Sequence, residues 1–373
     1  GLRADGSLGL LSSVSVGAES TVQAVALEAY ADSGFITVTG DVQATGNTGT
    51  STLGFNSFSN GAFVSLTGNA VVLHGGLDVT GTLGATTADF GLDAEAADVF
   101  IDGFFITIDG DVSLDGRTGA VKTGANSFVS GSFLSMSGDF GVLIGAGLGG
   151  GGLRVDGALA SVGGTDPSLP PDFLTARATS VLLSSELSGA VTINGDVAVT
   201  GTTGSVRAGE SSFSNGVFLS LIARDFNFSG AGNVVVGGTL TANGSLGSTE
   251  AGNFLFARAT EVFVQSYSGT IDLRGDINLS GTNGTARSGF NSFVNAISVT
   301  LDTFLGDVVL GGNFTATGSL SDVRAFSGLF ARATELAVTN SFGSFSTAGS
   351  ILLTGTTGVV EAGDFSFVNA VYA

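Results

Sequence analysis

Few side chains in this sequence could carry acid–base or nucleophilic catalysis. The single histidine, His74, lies in the apolar segment VVLHGGL, and no G-x-S-x-G nucleophile motif accompanies it. Paired carboxylates of the kind that glycoside hydrolases use could come from Asp109 and Asp111, or from Asp302 and Asp307, but neither pair recurs with further ligands. We therefore predict that the protein is not an enzyme, and we assign no catalytic residue.

A repeated aspartate is the feature that could bind a metal. Asp41, Asp111, Asp196 and Asp276 each follow a glycine in a repeated block, which makes them candidates for Ca²⁺. The nonapeptide repeat GGxGxDxUx that binds Ca²⁺ is absent, so a turn whose aspartate bonds nearby backbone explains them more simply. We expect no cofactor, because no Lys-Ser or Lys-Thr follows the glycines as in a phosphate-binding loop.

The composition restricts the class of protein. The 373 residues include 61 glycines, 3 prolines and no cysteine, with 43% hydrophobic and 12% charged residues. Collagen needs far more proline, and a disordered chain would have less apolar surface to bury. The net charge of −20 disfavours nucleic acid and anionic membranes as partners. No apolar run is long enough to predict a membrane span.

One sequence block occurs five times without a gap, at residues 40–60, 110–130, 195–215, 275–295 and 349–369. Four glycines keep their places in every copy, and in the fourth copy they are Gly275, Gly281, Gly284 and Gly289. Each copy closes on Ser-Phe, with the phenylalanines Phe58, Phe128, Phe213, Phe293 and Phe367. Two other elements, LDVTGTL and ARATEVFV with the divergent copy AEAADVFI, recur between the blocks. The repeating unit is about 75 residues long.

The pattern within each block predicts short strands. Apolar residues alternate, as in Val112 and Leu114, and glycine interrupts them every few residues. We predict an all-β fold, a single right-handed parallel β-helix (β-solenoid) over residues 1–373, built from five repeats. Each repeat would hold three or four coils of about 19–25 residues, which gives 15–20 coils and a rod of roughly 70–95 Å. Glycine is expected at the corners and phenylalanine in the core, so that Phe293→Asp would disrupt the core.

All three prolines lie in one insertion, at residues 163–172. Proline cannot donate to a sheet ladder, so this segment is predicted to be a protruding surface loop. A tolerated insertion is favoured over a binding loop.

The two ends of the sequence do not resemble the polar caps of repeat proteins. We predict a polymer interface that comprises Leu2, Leu8, Phe365, Phe367, Val371 and Tyr372. Such ends would stack head-to-tail into an open filament, or the chain is an excerpt of a longer repeat protein.

The repeated pattern GDVxVxG…GxLxATGSL resembles the β-solenoid regions of filamentous haemagglutinin-type adhesins and autotransporter passengers. The resemblance covers essentially the whole chain. It implies a right-handed parallel β-helix, secretion across the outer membrane and a role in adhesion or surface architecture. The repeat of about 75 residues departs from the single-coil repeat usual in that family.

These observations lead to one expected function and several alternatives. We expect an extracellular structural protein, a subunit or segment of a head-to-tail surface filament with an adhesive or scaffold role. The first alternative is a passenger fragment of a secreted adhesin that binds a cell-surface or glycan ligand. An ice-binding protein and a polysaccharide-active enzyme are less favoured. Thr-Gly-Thr runs suggest ice binding, but that function wants a threonine column on every coil, whereas the run recurs once per unit.

Overall fold

The computed structural model describes residues 1–9, 11–12, 20–147, 149–164, 172–226 and 231–373, and every regular element among them is a β-strand. The strands are β1 (Leu2–Leu8), β2 (Leu11–Ser12), β3 (Thr21–Val38), β4 (Val42–Thr48), β5 (Ser51–Leu73), β6 (Leu77–Leu83), β7 (Thr86–Gly103), β8 (Phe105–Ile108), β9 (Val112–Thr118), β10 (Val121–Thr123), β11 (Ser127–Gly138), β12 (Gly141–Ile144), β13 (Leu153–Gly164), β14 (Leu174–Ser185), β15 (Ala190–Ile193), β16 (Val197–Arg207), β17 (Ser211–Ala223), β18 (Val234–Val236), β19 (Leu240–Leu246), β20 (Thr249–Ala251), β21 (Phe254–Ser266), β22 (Ile271–Leu273), β23 (Ile277–Asn283), β24 (Ala286–Thr303), β25 (Val308–Leu310), β26 (Phe314–Leu320), β27 (Val323–Asn340), β28 (Phe345–Thr347), β29 (Ile351–Thr357), β30 (Val360–Ala362) and β31 (Phe367–Tyr372).

The strands stack in parallel as a β-solenoid of about nine turns, which confirms the prediction of an all-β fold of the parallel β-solenoid class. One column shows the stacking, because β1 pairs with β4, β4 with β6 and β6 with β9, residue against residue. The column continues without a break through β13, β16, β19, β23, β26 and β29. Nine rises of about 4.8 Å give a stack roughly 43 Å tall.

The predicted number of 15–20 coils is wrong, because one coil is almost twice as long as the sequence pattern indicated. Val42 of a repeated block pairs with Leu77 of the element LDVTGTL, so the two motifs are equivalent strands of successive coils. Each unit of about 75 residues therefore contains two coils. The error arose from the glycines: β5 and β24 run through theirs without a turn.

A column of ten glycines lies in the middle of the stacked strands and not at a corner. Its members are Gly6, Gly46, Gly81, Gly116, Gly157, Gly201, Gly244, Gly281, Gly318 and Gly355. A Cβ atom on any of them would lie 1.6–2.3 Å from a carbonyl oxygen of the opposite wall. The residues that provide those oxygens are glycine or alanine: Ala24, Gly61, Ala96, Gly131, Ala178, Gly216, Ala259, Ala296, Ala333 and Ala370. The two walls therefore touch, backbone against backbone.

This contact, the waist, divides the interior into two lobes. Inward residues before the waist glycine, such as Val42 and Ala44, belong to the larger apolar cluster. Residues beyond it, such as Leu53 and Leu83, belong to smaller clusters on the other side. The other recurrent glycines stack between coils, since a Cβ on Gly275, Gly284 or Gly289 would lie 2.1–2.5 Å from a backbone oxygen of the preceding coil.

The predicted loop at residues 163–172 lies largely outside the described residues. Gly163 and Gly164 end β13, and Asp172 precedes β14. Residues 165–171, which include the three prolines, are not described.

The waist predicts a strong asymmetry between glycine substitutions. We expect Gly244→Ala to lower the free energy of unfolding by about 1–3 kcal/mol, because its methyl group would lie 1.6 Å from the Ala259 carbonyl oxygen. Gly163→Ala is the control, since the nearest atom to its Cβ would be 3.8 Å away. Urea unfolding followed by circular dichroism measures both, and equal stability of the two variants would contradict the waist.

Candidate functional site: coil edges and outer columns

The side chains considered for acid–base chemistry do not form one constellation. His74 Nδ1 lies 2.9 Å from Asp109 Oδ2, in an open groove of about 560 Å³ that Asp41, Asp111 and Ser113 also line. The aspartate can orient the imidazole ring, and no hydrogen bond joins Ser113 to His74 among the described residues.

Asp302 and Asp307 bond to different partners. Asp302 Oδ2 accepts a hydrogen bond from Gln265 Nε2 at 2.9 Å. The backbone N–H and the hydroxyl of Ser344 donate to Asp307 Oδ1 and hold the pKa of that carboxyl below its usual value. Each aspartate thus links its coil to a neighbouring coil, and the two carboxylates do not face each other across a common site.

The four calcium candidates each bridge two coils. Backbone N–H groups donate to their Oδ1 atoms at 2.7–2.9 Å, in the pairs Gly76 to Asp41, Gly152 to Asp111, Thr239 to Asp196 and Asn313 to Asp276. The geometry therefore gives each carboxylate a role in stacking. Across the described ranges, no three His, Cys, Asp or Glu side chains converge as metal ligands would.

The phenylalanines that close the repeated blocks lie on the outer face, so their predicted place in the core is wrong. Phe213, Phe256, Phe293, Phe330 and Phe367 form a ladder of stacked rings with centroids 4.7–5.2 Å apart. Phe58 and Phe128 occupy the same outer column and are half-buried. The cause is the waist: the lobes beside it are narrow and are filled by Val, Leu, Ile and Ala. Phe314 is the fully buried exception.

Next to the ladder, a partly buried polar network crosses successive coils. Asn215 Nδ2 donates to Glu261 Oε2 at 2.8 Å, and Arg258 of the same coil as Glu261 pairs with its other oxygen. Asn295 binds Glu335 Oε2 at 2.8 Å in the same way, and Arg332 pairs with Glu335. Arg332 also lies over the ring of Tyr372, 4.1 Å from its centroid.

The coil of β7 carries acids in both charged columns of this network, and the sequence interpretation missed it. In β7, Glu95 stands in the register column of the arginines, and Asp98 stands in the column of the glutamates. Asp98 is fully buried and Glu95 is 4% exposed. The signal was present in the divergent segment AEAADVFI, where an acid replaces the arginine of ARATEVFV.

The predicted polymer interface contains residues of two kinds. Leu2 and Leu8 of β1 face inward, and so does Val371 of β31, whose equivalents Ile297 and Thr334 are fully buried inside the stack. Phe365, Phe367 and Tyr372 lie on the outer side, with 85%, 61% and 46% of their surfaces exposed. The inward residues are those that a further coil would cover.

Comparison with known proteins gives no relative: no protein-family model, no curated protein and no solved structure matches the chain. Within the described residues there is no helix of the length and hydrophobicity that a membrane crossing requires.

The ladder and the core predict different costs for the loss of a phenyl ring. We expect Phe314→Ala to lower the free energy of unfolding by about 3–5 kcal/mol, because Phe314 is 1% exposed. Phe293→Ala should lower the free energy of unfolding by only about 0.5–1.5 kcal/mol, which is the interaction energy of a stacked aromatic pair on the surface. Chemical denaturation of both variants tests this, and a larger loss for Phe293→Ala would place that ring in the core after all.

Proposed function

We propose that this protein is an extracellular structural protein whose right-handed solenoid extends head-to-tail into a surface filament with a scaffold or adhesive role. The observation that carries the proposal is that the outermost strands of the stack, β1 and β29, are open ladder edges backed by apolar columns. An open edge is a template for another strand of the same kind.

The two edges are complementary in backbone and side chain. With β1 of one copy on β29 of another, Leu2, Ala4 and Leu8 continue the inward columns that end at Ile351, Leu353 and Thr357. Gly6 then stands in line with Gly355, so the waist continues across the junction. The contact is heterologous and does not close, which produces a filament and not a ring.

Exposed rings and uncharged hydroxyls on the outer columns are surfaces on which a cell-surface or glycan ligand could bind.

The test is a variant that blocks the open edge without touching the fold. Leu2 donates its N–H to Asp41 of the next coil, and since donors alternate along a strand, the N–H of Ser7 points to the open side. Ser7→Pro therefore removes one open-edge donor, and Ser7→Ala is its matched control. We expect electron microscopy to show filaments with an axial repeat of roughly 48 Å for ten coils in the control and mainly single rods in Ser7→Pro.

Three results would count against head-to-tail assembly by β1. These are filaments unaffected by Ser7→Pro, rods that never join at any concentration, and joining of rods through their sides. Single rods in both variants would favour the passenger alternative, in which further coils belong to the same polypeptide.

A second candidate function, ice binding, is favoured by one observation. The hydroxyl-rich run recurs on every coil of the second half of the stack and not once per two-coil unit. Two outer columns flank the waist glycines from β16 to β29: Thr200, Asn243, Ser280, Thr317 and Thr354, and beside them Thr202, Ser245, Thr282, Ser319 and Thr356. The groups repeat every ~4.8 Å along the stack and ~6.7 Å across it. An uncharged array of fixed spacing suits a crystal lattice such as ice.

An ice-recrystallisation assay tests the hydroxyl columns. We expect the native chain to slow crystal growth and Thr317→Lys to lose most of that effect while keeping its thermal stability, because Thr317 is exposed. Thr107→Lys, on β8 and outside the columns, is the control. Absence of inhibition by the native chain would remove this candidate and leave the filament proposal intact.

A further inference from the structure

The coil that contains β7 replaces an ion pair with three acids. In the coils of β21 and β27, Arg258 pairs with Glu261 and Arg332 pairs with Glu335. The equivalent residues in β7 are Glu95 and Asp98, and Asp93 occupies the column of the stacked phenylalanines. The charge at this position therefore changes from balanced to wholly acidic, at a depth where an unpaired carboxylate is costly.

The hydrogen bonds around the cluster are incomplete when the acids are ionised. Asn60 Nδ2 donates to Asp98 Oδ2 at 3.1 Å, and no protein donor within the described residues reaches Asp98 Oδ1 or Asp93 Oδ1. Glu95 and Asp98 are close enough to share a hydrogen bond, which requires a proton because both groups are acceptors when ionised. A proton bound by Glu95 or Asp98 therefore supplies the hydrogen-bond donor that no neighbouring side chain provides.

No positively charged side chain on the adjacent strands neutralises the three carboxylates. The preceding strand β5 presents Phe58, Asn60 and Phe63 to it, and the following strand β11 presents Phe128, Ser130 and Phe133. None of these residues titrates near neutral pH. Apart from Asn60, the groups that act on the three carboxyls are the carboxyls themselves.

We infer that Asp93, Glu95 and Asp98 form a proton-dependent clamp: when protonated they hold the coil of β7 against its neighbours, and their ionisation loosens the stack at that coil. The clamp makes this coil the pH-sensitive step of the rod. Because a solenoid is held together by nearest-neighbour contacts, loosening one coil frees the edge of the coils beside it.

The direction of the pH dependence follows from the shifted groups. Burial raises the pKa of Asp98 to about 7 and that of Asp93 to about 6, and burial together with the neighbouring carboxylates raises the pKa of Glu95 well above its usual value. The folded coil therefore binds protons more tightly than the unfolded chain does. Its stability is full below the ordinary pKa near 4 and declines as the pH rises through 6 and 7.

Hydrogen exchange of β7 in the full chain tests the clamp. We expect the opening equilibrium constant of this strand to rise on the order of tenfold or more between pH 5 and pH 8, since each released proton contributes up to tenfold per pH unit. Glu95→Gln should flatten the rise and make β7 more stable at pH 8, because the amide mimics the protonated acid and donates to Asp98. Glu95→Arg should do the same through the ion pair seen at Arg258.

The matched control is Glu28→Gln, which also removes one acid but at an exposed position of β3. It should keep the native pH dependence. The clamp would be overturned by a native opening constant that does not increase from pH 5 to pH 8, or by equal flattening in Glu28→Gln and Glu95→Gln. If Glu95→Arg fails to fold, the comparison of the two glutamine variants still decides the matter.

Discussion

The close approach of the two walls at the waist is the contact on which the rest of the structure depends. A glycine such as Gly281 opposite a small residue such as Ala296 lets the backbones meet, and any larger pair would force the walls apart. The contact flattens each coil into two narrow lobes that suit Val, Leu and Ala. Aromatic rings then have room only outside, where they stack from coil to coil.

The waist also explains why the strands are long and the corners few. In β24, eighteen residues pass from one lobe to the other without leaving the sheet, because Ala296 is small enough for the facing strand to approach at Gly281. Backbone hydrogen bonds therefore run along almost the whole coil, and side chains such as Asp276 bridge the remaining turns. Stability is spread along the stack, and the chemistry of a coil lies in its outward columns.

The sequence predicted the fold class well because alternation, as in Val112 and Leu114, reports the inward face of a strand directly. It mispredicted the coil length because glycine signals both a corner and a close backbone approach, and only the pairing of Val42 with Leu77 distinguishes them. It misplaced Phe293 because an aromatic residue in an alternating strand fits either face until the width of the lobe is known. Glu95 was not predicted as a buried acid, because its place in the column of Arg258, two units further along the chain, is visible only once the strands are paired.

The outer aspartates follow the two-coil repeat. Asp41, Asp111, Asp196 and Asp276 lie on every second coil, with Gly76, Gly152, Thr239 and Asn313 on the coils between them. Aspartates on adjacent coils would stand about 4.8 Å apart, which is destabilising for like charges, whereas alternation doubles that distance and gives each carboxylate an N–H donor on the next coil. Asn295 likewise lies between the coils that carry Arg258 and Arg332, and Asn215 lies on the other side of Arg258. In these columns the period of two keeps like charges on every second coil, whereas Asp115 and Asp156 stack on adjacent coils beside Arg117.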